Sequence, residues 1–213
     1  MIRPYARIIV IAILLATSAA ARAQQEPEHH RVFILGDSQG EGMGPHLARS
    51  LRSEGHEVQL LAHHGWGAVT WTNGEHWADV RQRVAAFRPD TLVLIFGTND
   101  SYGTRFREAL DRLATLAPRV VWVGSPSYLD PARQARADAM IEGAQRGLGN
   151  GNVIDSRPMT PANERDRRSD RVHLTPAAAR AWAERVAPRV EQALRIAPTG
   201  TGPEHFIVID EAP

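Results

Sequence analysis

Three short polar clusters in this sequence hold residue types that can do covalent chemistry: Gly36-Asp37-Ser38, Gly97-Thr98-Asn99-Asp100 and Asp170-Arg171-Val172-His173. A serine hydroxyl is a poor nucleophile unless a base within hydrogen-bond reach takes its proton. His173 is the candidate base. Asp170, three residues earlier, can fold back within one turn to fix the imidazole's tautomer and stabilise the imidazolium. Attack on a carbonyl creates an oxyanion, which needs preorganised donors. The Asn99 amide can supply one, the Ser38 backbone N–H another, and a glycine N–H from "HHGWGAVTW" (63–71) a third. Gly65 and Gly67 are both available there, and glycine suits a place where backbone approaches substrate closely.

Each cluster also has a simpler reading. Ser38 can cap a helix, Asn99-Asp100 can form a turn at a strand end, and His173 can be structural. Asp37 is expected to hold its turn rather than to take part in chemistry. His63 and His64 are adjacent, so on an extended chain they point to opposite faces and chelate poorly. No HExxH pattern is present. Neither a metal nor a cofactor is expected.

The clusters must be positioned by the elements between them. Apolar runs of strand length at 31–35, 57–62, 91–97, 119–124 and 152–155 alternate with helical patterns at 45–54, 75–87, 105–116 and 131–146. A last helix follows Thr175, a plausible N-cap with Pro176 at the first position. Pro188 is expected to kink or divide it. The alternation predicts an α/β three-layer sandwich, with a largely parallel sheet of about five strands and helices on both faces. In such sheets active residues collect at the C-terminal strand edge, where all three clusters fall.

Taken in order, GDS-x-x-x-G (36–42), Gly67, G-x-N-D (97–100) and D-x-x-H (170–173) resemble the SGNH hydrolases, the GDSL-like esterase and lipase superfamily with a flavodoxin-like sheet. The resemblance spans about 31–194. It implies Ser38 as nucleophile, His173 as base, Asp170 as its orienting acid, and Ser38, Gly67 and Asn99 as the oxyanion hole. Choosing Gly67 over Gly65 is a judgement of spacing. Gln39-Gly40 departs from the common Leu-Thr or Leu-Ser after the serine. Trp66 and Tyr102, beside the oxyanion-hole loops, are candidate substrate-binding residues; Trp71, Trp122 and Trp182 read as packing. Ser125-Pro126-Ser127 is either a pocket border or a rigid loop.

Residues 1–23 read as a cleavable signal peptide: Arg3 and Arg7, the apolar run 8–16, and a small-x-small site ending at Ala23. The apolar run is well short of the roughly 20 residues a spanning helix needs. Removing this segment deletes three arginines and no acids, so the formal charge moves from +1 to −2 and no electrostatic case for nucleic acid remains. The chain has no cysteine, hence no disulfide, thiolate or lipobox. The expected organisation is 24–30 as a flexible lead, 31–196 as the hydrolase domain and 197–213 as a tail or edge segment. The expected protein is a periplasmic or secreted serine esterase acting on O-acetyl groups of a glycan or cell-wall polysaccharide. The alternatives are an O-acyltransferase using the same site, a lipase-, lysophospholipase- or thioesterase-type enzyme, and a non-catalytic glycan-binding module.

Overall fold

The structure is a computed structural model that describes residues 28–147 and 152–196. The expected signal peptide, residues 24–27 of the lead and the tail at 197–213 lie outside the described residues. Five strands, β1 (Arg31–Gly36), β2 (Glu57–Ala62), β3 (Thr91–Ile95), β4 (Arg119–Val123) and β5 (Asn152–Ile154), form one sheet in the order β2-β1-β3-β4-β5. Every pairing is parallel.

The strands are apolar at consecutive positions because both faces are covered, and alternation along each strand divides the core in two. On one side Val32, Ile34, Val93, Ile95, Val121 and Val123 meet α1 (Ser38–Ser53) and α6 (Pro176–Arg195). On the other, Phe33, Leu35, Leu92, Leu94 and Trp122 meet residues of α2 (Ala68–Trp71), α3 (Gly74–Phe87), α4 (Thr104–Ala114) and α5 (Pro131–Gly147). This is the expected three-layer arrangement. Trp71, Trp122 and Trp182 are all buried core, as their positions suggested.

The start of one helix, and the continuity of another, are fixed by the structure. α1 starts at Ser38, seven residues before the expected start at Pro45. The glycines at this end of β1 and in α1 permit close packing. A Cβ at Gly36 would lie 2.8 Å from the Gly40 Cα, and one at Gly44 would lie 2.8 Å from Leu60 Cδ1. Pro45 sits inside the helix and removes one backbone hydrogen bond. Burial of Met43, Leu47, Ala48 and Leu51 in the core shared with α6 offsets that loss. α6 likewise runs undivided through Pro188, with Thr175 as N-cap accepting from the Ala178 N–H.

The strand order reverses between β1 and β3, and ligand sites of open α/β sheets form outside the carboxyl ends of strands at such a point. Ser38 follows β1 and Asn99 follows β3, so both sit at this crevice. Among the described residues, no helix is long and apolar enough to cross a membrane.

Candidate active site

Asp37, not Ser38, caps α1: its Oδ1 accepts the Gln39 N–H at 2.8 Å. Ser38 is therefore the first helical residue, and its hydroxyl is free of the capping role. Its N–H belongs to the first turn, where backbone donors have no intrahelical acceptor and the helix dipole favours negative charge. That is a suitable place for an oxyanion donor.

Ser38 Oγ lies 2.9 Å from His173 Nε2, and His173 Nδ1 lies 2.8 Å from Asp170 Oδ2. An ionised carboxylate only accepts, so the proton on the imidazole sits at Nδ1 and Nε2 is left to accept from the serine. The other carboxylate oxygen, Asp170 Oδ1, accepts the N–H groups of Val172 and His173, each at 2.9 Å. Desolvation opposes ionisation, but these bonds and the His173 side chain together hold the Asp170 carboxyl well below the usual range. The tight curl needs Arg171 in the left-handed region, φ 58°. Such a conformation costs a non-glycine residue about 1 kcal/mol.

The loop bearing the pair is anchored from behind. Arg168 N–H donates to the His173 carbonyl at 2.8 Å, and Arg167 and Leu174 form an antiparallel bridge. The buried Arg167 guanidinium donates to the Ser127 carbonyl at 2.7 Å. The 125–127 segment thus supports this loop, as the rigid-loop reading had it, and Ser125 is buried against Gly97.

Asn99 is exposed at the crevice. Its Nδ2 donates to Asp37 Oδ2 at 3.4 Å, which occupies one amide hydrogen and leaves the second for a ligand. The same oxygen accepts the Thr98 N–H at 3.3 Å, and Thr98 Oγ1 is 2.7 Å from the Tyr128 hydroxyl. Burial pushes the Asp37 carboxyl up to about 7, against the pull of the Gln39 and Thr98 N–H groups. Burial likewise pushes the Tyr128 phenol up to about 12. Gly97 has φ 136°, which L side chains rarely adopt, and a Cβ there would lie 2.9 Å from Ser125 Oγ.

The two candidate glycines differ in kind. Gly65 has φ 78° with open space around it, as befits a turn. Gly67 precedes α2, and any Cβ there would collide with the Asp100 carboxylate. Asp100 accepts the Ala68 N–H at 2.8 Å and the Val69 N–H at 3.3 Å, tying the start of α2 to the Asn99 loop. Gly67, unlike Gly65, is thus packed against the loop that bears Asn99. Sequence reasoning did not assign this role to Asp100. Nor did it find Glu41, whose carboxylate accepts the His64 N–H at 2.8 Å. The available signal was position: Glu41 lies three residues beyond Ser38, on the same face of α1.

Trp66 and Tyr102 have other engagements. The Trp66 ring packs against His63 at 3.8 Å, His76 at 3.9 Å and Trp71 at 4.8 Å between centroids. Tyr102 covers Gly143 of α5 and meets Phe106 at 6.5 Å. Both rings are half-buried supports in the second core layer. Among the described residues, no group of three or more His, Asp or Glu could hold a metal ion.

Comparison with known proteins matches this architecture. A family described as "Protein of unknown function (DUF459)" covers residues 31–105. No curated protein matches the chain. Among solved structures, a candidate SGNH hydrolase from Slackia heliotrinireducens superposes with a TM-score of 0.60 at 19% identity, over 76% of this chain and 100% of that one. The fold is that of the SGNH hydrolases. A carbohydrate esterase of family 3 from Talaromyces cellulolyticus also shares it, with a TM-score of 0.59, 17% identity and coverage of 78% and 99%. So does a variant of an acetylxylan esterase from Geobacillus stearothermophilus, with a TM-score of 0.59, 13% identity and coverage of 80% and 97%. In this SGNH fold the GDS, GTND and DRVH clusters all meet at the β1/β3 crevice.

Proposed function

We propose that this protein is a serine esterase that removes O-acetyl groups from a glycan or cell-wall polysaccharide, outside the cytoplasm. The observation that carries the reading is the aligned Ser38–His173–Asp170 chain, with contacts of 2.9 and 2.8 Å, beside the Asn99 amide and the α1 N-terminus. Ser38 Oγ attacks the ester carbonyl as its proton passes to His173 Nε2. The oxyanion accepts from the Ser38 and Gly67 N–H groups and the Asn99 amide. His173 then gives the proton to the departing alcohol oxygen as the C–O bond breaks. Water, deprotonated by the same nitrogen, releases acetate and restores Ser38.

The acetyl-glycan assignment is supported by the carbohydrate and acetylxylan esterases that share the fold, and the location by the N-terminal sequence pattern. The test is hydrolysis of p-nitrophenyl acetate by the purified protein, with fluorophosphonate labelling of Ser38. Labelling and turnover are expected, together with acetate release from acetylated xylan or peptidoglycan. A folded protein that neither turns over the ester nor takes the label is not an esterase. Transfer of the acetyl group to an added glycan, in place of free acetate, would assign acyl transfer.

A further inference from the structure

The mouth of the site holds a second imidazole that the steps above do not use. The His64 ring lies 5.3 Å from the His173 ring, centroid to centroid, at an interplanar angle of 34°. Both nitrogens of His173 are already engaged, one by Asp170 and one by Ser38, so His64 adds ring contact but no hydrogen bond to the base. The His64 backbone is held on both sides: its N–H donates to Glu41 Oε1 at 2.8 Å, and its carbonyl lies 2.9 Å from His63 Nδ1. His63 is itself stacked on Trp66. Both residues of the pair are exposed, but His63 Nδ1 is engaged, whereas neither ring nitrogen of His64 has a hydrogen-bond partner among the described residues.

Position then decides what that imidazole meets. A departing alcohol oxygen must sit within hydrogen-bond reach of His173 Nε2 to receive its proton. The His64 ring, packed beside His173 and exposed, is within reach of substituents on that alcohol. A neutral imidazole offers one donor and one acceptor, which suits a hydroxyl. Because the backbone is fixed from both sides, little ordering is required when the bond forms.

We propose that His64 is the recognition group for the alcohol part of the substrate, hydrogen-bonding a hydroxyl on the carbon next to the one bearing the ester. The chemical class is a partially acylated sugar with a free hydroxyl beside the ester. The inference rests on the esterase reading above and specifies which side of the ester is recognised.

The test compares kcat/KM on a singly acetylated methyl xyloside with that on p-nitrophenyl acetate, whose leaving group has no neighbouring hydroxyl. For His64→Phe, which keeps a ring against His173 but loses the polar atoms, the sugar-to-nitrophenyl ratio is expected to fall roughly three- to tenfold, the worth of one neutral hydrogen bond. The loss should appear mainly in KM, and His64→Gln should recover part of it. An unchanged ratio for His64→Phe, or equal losses on both esters, overturns the proposal, since a merely supporting ring would act on both alike. If the folded native protein hydrolyses neither ester, the esterase reading fails and this proposal with it.

Discussion

Two histidine–carboxylate systems sit at opposite edges of the same sheet. At the C-terminal edge His173 pairs with Asp170 and reaches Ser38. At the N-terminal edge, before β1, β2 and β3, lie His30, His56 and Asp90, joined by Glu191 from α6. The His30 N–H donates to His56 Nδ1 at 3.1 Å, so the proton on His56 sits at Nε2 and faces Glu191, also at 3.1 Å. His173 carries the opposite tautomer. The side chains of His30 and His56 are 10% and 4% exposed, against 21% for His173 and 47% for Asp170.

The residue types are nearly the same, but their engagements differ. Both His56 nitrogens are spent on protein partners that cannot leave. His173 Nε2 is engaged by a hydroxyl that can be handed over to a substrate. A histidine beside a carboxylate becomes a candidate base only when its other nitrogen faces a nucleophile in an accessible crevice.

Removing the nucleophile tests this contrast most severely. Ser38→Ala is expected to lower kcat on p-nitrophenyl acetate by roughly 10⁴-fold or more, with thermal stability nearly unchanged. Asn99→Ala, which deletes one oxyanion donor and leaves the relay intact, is expected to cost about 10²- to 10³-fold in kcat. A smaller loss would separate Asn99 from the oxyanion.

The other edge should respond in stability. His56→Ala strands the Glu191 carboxylate in a half-buried position and opens a cavity, so a loss of about 2 kcal/mol is expected in urea unfolding. Its kcat/KM should stay within about twofold of the native value. A folded His56→Ala protein without activity would dissolve the distinction between the two edges.

The finest test is the pH dependence of Asp37. Its carboxyl is pushed up to about 7 in the fold from an ordinary value near 3.8. Between those values the native state holds the proton more tightly than the unfolded state. This contribution to stability is therefore full below the unfolded value and falls as pH rises toward 7, with a slope of at most about 1.4 kcal/mol per pH unit. Asp37→Asn lacks the titration and should give a flatter stability curve from pH 4 to pH 7. Parallel curves would mean that the N–H donors around Asp37 outweigh its burial.

The strands were legible because a parallel sheet covered on both faces writes its strands as continuous apolar runs; 91–95 and 119–123 are the plainest cases. The start of α1 was not legible. Local glycine preference at 40, 42 and 44 points to a turn, and only long-range packing, of Gly40 beside Gly36 of β1 and of Gly44 against Leu60 of β2, shows why glycines suit this helix. Trp66 and Tyr102 show the same limit from the other side. Their sequence neighbours suggest a cleft but do not show that His63, His76 and Trp71 pack on one ring and Gly143 lies under the other.

By itself the sequence determined which groups are present and at which strand ends they emerge. Hydrophobic patterning is local enough to locate β1, β3 and the start of α6, and each candidate cluster adjoins one of these. Tertiary structure decided which side chains meet. Ser38 and His173 are 135 residues apart, and their 2.9 Å contact exists only because α6 packs on the same face as α1. It also decided that Asp100 secures the Gly67 loop, and that the His64 ring lies beside His173. Those assignments depend on long-range packing and on shared hydrogen bonds, and neither leaves a periodic trace along the chain.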